Sequence, residues 1–129
     1  MLIGGFVVAG TEPKRMLVRA AGPALRGFGV ADALANPRLQ LFRGSERVAE
    51  NDDWSVQTQG NAADIAAAAS RAGAFGFAAG SADAALLLSL SPGAYTAVVQ
   101  GAGGSTGSGL VEAYEVDRGG TRIINLATR

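Results

Sequence analysis

The sequence contains neither cysteine nor histidine in its 129 residues. Without cysteine, the chain can form no disulfide and no thiolate metal site, and its redox compartment cannot be read from composition. Without histidine, it lacks the usual general base, the Ser-His-Asp and Cys-His arrangements of nucleophilic enzymes and nearly all zinc ligation. These two absences favour a non-catalytic role.

An excess of charge of one sign is also missing. Eleven basic residues balance eleven acidic ones, and the basic set is ten arginines and one lysine scattered along the chain. No cluster among them is long enough to follow a phosphate backbone. The composition therefore predicts no nucleic-acid partner and no general attraction to anionic membranes.

Long hydrophobic segments are absent as well. The uncharged run from Ala84 to Val111 is broken by Pro92 and by a glycine-rich loop, so no piece approaches the ~20 apolar residues of a membrane span. No basic segment precedes the apolar start of the chain, as a secretory signal would require. We therefore expect no membrane insertion, and an excised module whose targeting sequence, if there is one, lies elsewhere.

The segment from Leu90 to Val116 shows what is present instead. Pro92-Gly93 favours a type II turn, and side chains then alternate from Ala94 to Gln100 and again from Leu110 to Val116. This period of two predicts a pair of strands. The loop between them, Gly101 to Gly109, is long and poor in side chains, and the expectation is a mobile tip.

One segment, Asn61 to Ala72, is typical of a helix. Asn61 can cap its first turn, Asp64 and Arg71 complement its two ends, and Gly73 can close it in the left-handed conformation. Because its body is mostly alanine, we expect it to lie flat over a sheet edge or one end of the core.

The remaining segments predict short strands separated by Gly and Pro turns. A helical turn is expected at Val30 to Leu34, and Arg15 and Arg19 are expected on a solvated face of the second strand. The predicted strands are Leu2 to Val8, Lys14 to Ala20, the segment around Leu39 and Leu41, Arg47 to Glu50, Ala84 to Leu90 and Arg122 to Leu126, besides the pair above. The prediction is one all-β module over residues 1–129, an antiparallel, jelly-roll-like β-sandwich of about eight strands with one short helix.

The order LQLFRGSERVAENDDW followed by SADAALLLSLSPGAYTAVVQGAGGSTGSGLVEAYEV resembles bacterial pre-peptidase C-terminal domains, which are secreted β-sandwich modules. The fuller pattern, from LIGGFVV and MLVRAAGPAL to RIINLATR, is similar to a tandem-repeat module of large exported bacterial proteins. The resemblance covers nearly the whole chain, and its motifs are structural rather than catalytic. It implies an extracellular or cell-surface location and neighbouring repeat modules as partners.

In such arrays, the resemblance implies, a segment like RIINLATR recurs just ahead of the next LIGGFVV-like strand. The strand from Arg122 to Arg129 either closes its own sandwich or pairs with a neighbour, and self-closure is favoured. If the strand belongs to a neighbour, an isolated module exposes an edge and self-associates through it.

The acidic loop beside the single tryptophan carries the predicted binding site. Calcium prefers several oxygen ligands on a flexible loop, and Asn51, Asp52, Asp53 and Asp83 can supply them. The EF-hand spacing is absent, however, and the alternative is that these side chains hydrogen-bond the turning backbone. Some modules of the resembled family bind calcium, but their ligand pattern cannot be transferred residue by residue.

Aromatic residues offer a second candidate surface. Trp54 is expected to be exposed and to stack on a sugar or peptide, whereas Tyr95 and Tyr114 are expected to be buried with tied hydroxyls. A glycosidase would need two facing carboxylates, and the adjacent Asp52 and Asp53 point to opposite faces of an extended chain. No catalytic residue is therefore predicted.

Two functions follow from the sequence. The first is a non-catalytic spacer or adhesion element of a large exported or cell-surface protein, without a cofactor. The alternative is a calcium-dependent domain that binds a carbohydrate or a matrix protein, centred on Asn51 to Trp54.

Overall fold

Strands dominate the fold, and they form two antiparallel sheets. The computed structural model describes residues 1–57 and 60–116 and the backbone of 123–128. The strands in these ranges are β1 (Leu2–Val8), β2 (Lys14–Ala21), β3 (Pro37–Arg43), β4 (Glu46–Asn51), β5 (Ala84–Leu90), β6 (Gly93–Gly101), β7 (Leu110–Glu115) and β8 (Ile123–Thr128). The helices are α1 (Ala62–Ala72) and two 3-10 segments, Pro23–Phe28 and Ala102–Gly104.

The strands pair in the orders β1-β6-β3-β4, here called sheet A, and β5-β2-β7-β8, here called sheet B. Every ladder between neighbouring strands is antiparallel. Side chains from both sheets share one apolar cluster, so the sheets stack face to face. The predicted all-β antiparallel sandwich with one short helix is confirmed.

The main core lies between the sheets and is built by strand alternation. Leu39 and Leu41 of β3 are fully buried, as predicted, and pack with Met16 and Val18 of β2 and with inward residues of the other strands. Their neighbours along each strand face the opposite way because side chains alternate across a pleated strand. The alternation therefore fixes which residues can form the outer layers.

A second apolar layer covers the outer face of sheet B. Leu17 of β2 and Tyr114 of β7 pack there against Trp54 and against Ile65 of α1. The prediction that this face of β2 is solvated is wrong at Arg19, whose exposed fraction is 1%. The cause is tertiary, since the Phe75 and Phe77 rings lie 4.6 and 4.1 Å from the Arg19 guanidinium carbon. α1 packs over β2 and over β5, an edge strand of sheet B, in line with the expected position over a sheet edge.

The ends of α1 follow the sequence prediction. Asn61 Oδ1 accepts a hydrogen bond from the Asp64 amide at 2.9 Å, and Gly73 closes the helix with φ of 73°. Asp64 lies in the first turn and Arg71 in the last, where each complements the helix dipole. Local chemistry therefore accounts for both ends of this element.

Two smaller predictions have different outcomes. The helical turn predicted at Val30 to Leu34 is wrong, because the helical segment lies earlier, at Pro23–Phe28, and Gly29 ends it with φ of 88°. The last strand pairs with β7 of the same chain, as self-closure requires. Arg122 and Arg129, which bounded that prediction, lie outside the described residues. No helix in the described ranges is long and apolar enough to cross a membrane.

Candidate functional site

Trp54 is buried rather than displayed. Its exposed fraction is 8%, its Nε1–H donates to the Ala78 carbonyl at 3.0 Å, and its ring meets Phe77 edge to face with centroids 6.3 Å apart. The prediction of an exposed stacking surface at Trp54 is therefore wrong. The reason is the contact with the segment that follows α1, which sequence spacing did not reveal.

The two tyrosines are buried, as predicted. The Tyr95 hydroxyl donates to the Ser91 carbonyl at 2.6 Å, and its ring stacks on Phe6 with centroids 5.6 Å apart. The Tyr114 hydroxyl instead donates to the Glu112 carboxylate. Both hydroxyls are thus engaged within the fold and not presented to a ligand.

Asp83, a predicted calcium ligand, is fully buried and bound by the protein itself. Its Oδ1 accepts hydrogen bonds from the amides of Gly22 at 2.7 Å and Ala24 at 3.1 Å. Its Oδ2 accepts from the Ser81 hydroxyl at 2.7 Å. The carboxylate therefore holds the start of the Pro23–Phe28 segment in place, because its donors are otherwise unpaired helix-end amides.

Asn51 is engaged in a similar way at the end of β4. Its Oδ1 accepts from the Ala85 amide at 3.1 Å, and its Nδ2 donates to the Val56 carbonyl at 2.9 Å. Asp52 is exposed and Asp53 is half-buried. The structure does bring Asp83 beside this loop, since its carbonyl accepts from the Trp54 amide at 2.7 Å.

The four predicted ligands are nevertheless not assembled around a common point. The oxygens of Asn51 and Asp83 already accept protein donors. In the part of the chain that the structure describes, no group of three or more acidic side chains is placed to hold a metal ion. The geometry thus favours the alternative in which these residues bond the turning backbone.

The glycine-rich loop is attached to the body of the protein and is not a free tip, contrary to the sequence prediction. The Ala102 amide donates to the Asn36 carbonyl at 2.8 Å, and the Ser108 amide donates to the Asp32 carbonyl at 2.9 Å. A Cβ at Gly107 would lie 2.7 Å from that Asp32 oxygen and 2.9 Å from the backbone of Leu34. The glycines therefore permit close backbone packing.

A buried ion pair beside the segment that follows α1 was not predicted. Arg19 and Glu112 face each other on β2 and β7, and the guanidinium donates twice to Glu112 Oε1, at 2.9 Å from Nε and 2.7 Å from Nη2. Its Nη1 donates to the Phe75 carbonyl at 2.6 Å. Burial, together with the hydrogen bond to Glu112, raises the pKa of Tyr114 above its ordinary range.

Sequence reasoning could have found this pair only with the strand register known. Arg19 and Glu112 are 93 residues apart. The alternation along each strand is also compatible with a side chain that faces solvent at these two positions. The signal is the pairing of β2 with β7, which sets one residue opposite the other.

The outer face of sheet A carries exposed apolar residues on β1. Ile3 and Val7 of the edge strand β1 have exposed fractions of 54% and 63%. Across the ladder, Ile3 lies opposite Val98 and Val7 opposite Ala94. We call this surface, Ile3, Val7, Ala94 and Val98, the β1 face.

The opposite edge of sheet A is charged. Arg38 and Arg47 both contact the Glu50 carboxylate, at 2.8 and 3.4 Å. The hydrogen bond from Arg38 lowers the pKa of Glu50 below its ordinary value. Charges on an edge strand discourage pairing with another chain, so the two edges of this sheet differ in their capacity for contact.

Comparison of the chain with protein-family models, with curated proteins and with solved structures finds no match in any of the three.

Proposed function

We propose that this protein is a non-catalytic module of a large exported or cell-surface protein, in which it acts as a spacer or adhesion element. Its partners are neighbouring repeat modules or a second copy of the chain, which it meets through the edge region of sheet A. The resemblance of its motifs to secreted tandem-repeat sandwiches supports the same role.

The observation that carries this proposal is the β1 face. β1 has no charged residue and presents Ile3 and Val7 to solvent beside Val98. Apolar side chains on an uncharged edge strand are an attachment surface for another chain, because burying them there removes apolar area from water. A spacer or adhesion module needs such a surface.

The hydrogen bonds that the polar side chains make within the fold agree with a scaffold role. Asn51, Asp83 and the Trp54 indole each bond backbone groups of the fold. The buried Arg19 and Glu112 bond each other. These groups stabilise the loops and the outer layer of sheet B, and their donors and acceptors are used within the chain.

Sedimentation velocity over a wide concentration range tests the proposal. We expect the chain to self-associate, and we expect Val7→Glu to abolish the association by placing a charge on the β1 face. Val56→Glu is the matched control, because Val56 is 70% exposed but lies outside the strands. A monomer at every concentration, or equal association of the two variants, would contradict the proposal.

The calcium-dependent alternative has its remaining free carboxylates at Asp52 and Asp53. Titration calorimetry with Ca²⁺, paired with thermal unfolding in millimolar calcium, tests it directly, since a ligand that binds the folded state raises the melting temperature. We expect neither heat nor a shift. A shift that Asp52→Asn removes would restore the alternative.

A further inference from the structure

β5 is the edge strand of sheet B on the side where β4 ends sheet A. The outward backbone groups of Ala85, near its start, already have side-chain partners. The Ala85 amide donates to Asn51 Oδ1, and the Ala85 carbonyl accepts from Gln57 Nε2, each at 3.1 Å. These two side chains thus occupy the positions that the backbone of a further strand would take. We call the free side of residues 87–89 of this strand the β5 edge.

Leu87 and Ser89 present their backbone groups on the same side as Ala85. In an antiparallel ladder every second residue faces the same neighbour. Ser89 lies opposite Arg15 of β2, and the Arg15 carbonyl accepts from the Val116 amide on the other side of β2. The Arg15–Ser89 pair therefore exchanges no hydrogen bonds. The bonds of Ala85 and of Arg15 thus agree that the N–H and C=O groups of Leu87 and Ser89 face the free side.

These outward groups have no partner in the part of the chain that the structure describes. No amide, carbonyl or side chain there bonds the outward N–H and C=O groups of Leu87 and Ser89. β5 also has no charged residue and no proline, the features that discourage pairing at an edge strand. The β5 edge therefore retains the capacity to pair with an extended segment.

A gap toward the core opens beside these groups. It measures about 130 Å³ and lies between β4 and β5, where Val48, Ala49, Leu86 and Leu88 line it. Ala49 and Leu88 pack against the main core but are only half-buried. A cavity of ~150 Å³ accommodates benzene, so this gap has room for one aliphatic side chain. Such a side chain would complete the burial of Leu88.

The short length of the β5 edge favours an extended segment over a second folded copy. Three residues of a strand span ~10 Å, whereas a stable interface between folded proteins buries about 800 Å² on each partner. Strand addition gains main-chain hydrogen bonds along an edge and places alternate side chains in pockets. Glu50 at the rim of the gap already pairs with Arg38, so a charge on the segment is not required.

We propose that the β5 edge binds an extended, uncharged segment of a partner protein as an added strand of sheet B. The N–H and C=O groups of Leu87 and Ser89 bond the backbone of the segment, and one of its aliphatic side chains fills the gap beside Leu88. The site lies at the opposite edge of the sandwich from the β1 face. It does not depend on the proposed spacer or adhesion role.

A capped heptapeptide of alternating threonine and valine is a suitable probe, and amide hydrogen exchange followed by NMR reports its position. The Leu87 and Ser89 amides should exchange fast in the free protein. At a peptide concentration about ten times Kd they should exchange about tenfold more slowly, since only the unbound fraction remains open. The Leu88 amide faces β2 and should be protected in both states, so it serves as the internal reference.

N-methylation of the peptide tests the backbone part of the recognition. Methyl groups on the threonine nitrogens and methyl groups on the valine nitrogens block opposite sides of an extended strand. One of these two peptides therefore loses the donors that point at β5, and the other keeps them. We expect the first to bind about tenfold or more weakly than the second, because each lost hydrogen bond weakens binding by up to about tenfold.

Val48→Glu and Val56→Glu test the gap. Both valines are exposed, but only Val48 lines the gap. We expect Val48→Glu to weaken peptide binding about tenfold or more, because it places a charge where an aliphatic side chain is to be buried. Val56→Glu should bind like the parent. Circular dichroism of both variants verifies that they are folded.

Absence of peptide binding to the parent protein would overturn the proposal. Equal binding by the Val48 and Val56 variants would overturn the role of the gap, and equal binding of the two N-methylated peptides would overturn strand addition. Self-association through the β1 face is measured separately by sedimentation, so failure of the spacer or adhesion role and failure of this proposal are distinguishable.

Discussion

Arg19 donates from both Nε and Nη2 to one oxygen of Glu112, and both residues are buried. Arg38 and Glu50 are joined at almost the same distance, 2.8 Å, on the exposed edge of sheet A. The two pairs therefore differ chiefly in their access to water. That difference decides how much each pair matters to the stability of the fold.

Neutralising Glu112 should be far more costly than neutralising Glu50. Glu112→Gln leaves the Arg19 charge buried and uncompensated, and we expect it to lower the free energy of unfolding by about 3–5 kcal/mol. Glu50→Gln removes a solvent-screened partner and should cost less than about 1 kcal/mol. Urea unfolding of the two variants measures both values.

A double variant separates the ion pair from the packing around it. Arg19→Met combined with Glu112→Leu removes both charges, and we expect it to be more stable than Glu112→Gln alone. Equal costs for Glu112→Gln and Glu50→Gln would mean that the inner pair is hydrated in solution.

The stability of the protein should fall at high pH because of Tyr114. Its folded pKa is raised from the ordinary value of 10.0 by burial and by the Glu112 carboxylate. Below pH 10 the tyrosine is protonated in both states, whereas above it the unfolded state loses the proton first. The free energy of unfolding should therefore drop, by at most about 1.4 kcal/mol per pH unit, until the folded pKa is reached.

Tyr114→Phe tests the assignment, because phenylalanine does not titrate. The unfolding free energy of the parent minus that of the variant should decrease as the pH rises above 10. Parallel stability profiles for the two proteins would show that Tyr114 is not the responsible group.

Removing the Asp83 carboxylate should loosen the start of the Pro23–Phe28 segment. Asp83→Ala leaves the amides of Gly22 and Ala24 without their acceptor, and each buried unsatisfied group costs about 1–3 kcal/mol. Asp53→Ala, from the same predicted calcium set, should change stability by no more than about 0.5 kcal/mol. Calorimetric melting compares them, and similar losses would argue that Asp83 has no special structural role.

Side chains added to the glycine-rich loop should destabilise the protein, and amides of this loop should exchange slowly with solvent. Gly101→Ala places a Cβ against the Ser105 carbonyl, so we expect a loss of about 1–3 kcal/mol. Gly27→Ala is the control, since a Cβ there meets nothing within 4 Å. Hydrogen exchange should show protection at the Ala102 and Ser108 amides in the parent protein. Fast exchange at both amides would instead support the mobile tip that the sequence predicted.

The strands and the helix caps were predictable because their causes are local. Alternation in β3 buries Leu39 and Leu41, and Asn61 caps α1 through a bond three residues away. The candidate site was less predictable. Asn51 lies close to the tryptophan in the sequence and Asp83 follows much later. Such oxygen-bearing side chains suit a metal as well as they suit backbone bonds, and only their distant partners distinguish the two.

The sequence by itself determined the strand segments, the helix with its ends, the two-sheet class and the absence of cysteine and histidine chemistry. Each of these depends on residue type and on spacing within a few positions. Tertiary structure alone decided that Trp54 is buried, that Arg19 faces Glu112 and that the glycine loop is bound to the segment around Asp32. The physical reason is that these contacts join residues far apart in the chain, and their geometry is set by strand register and by the placement of α1 on sheet B.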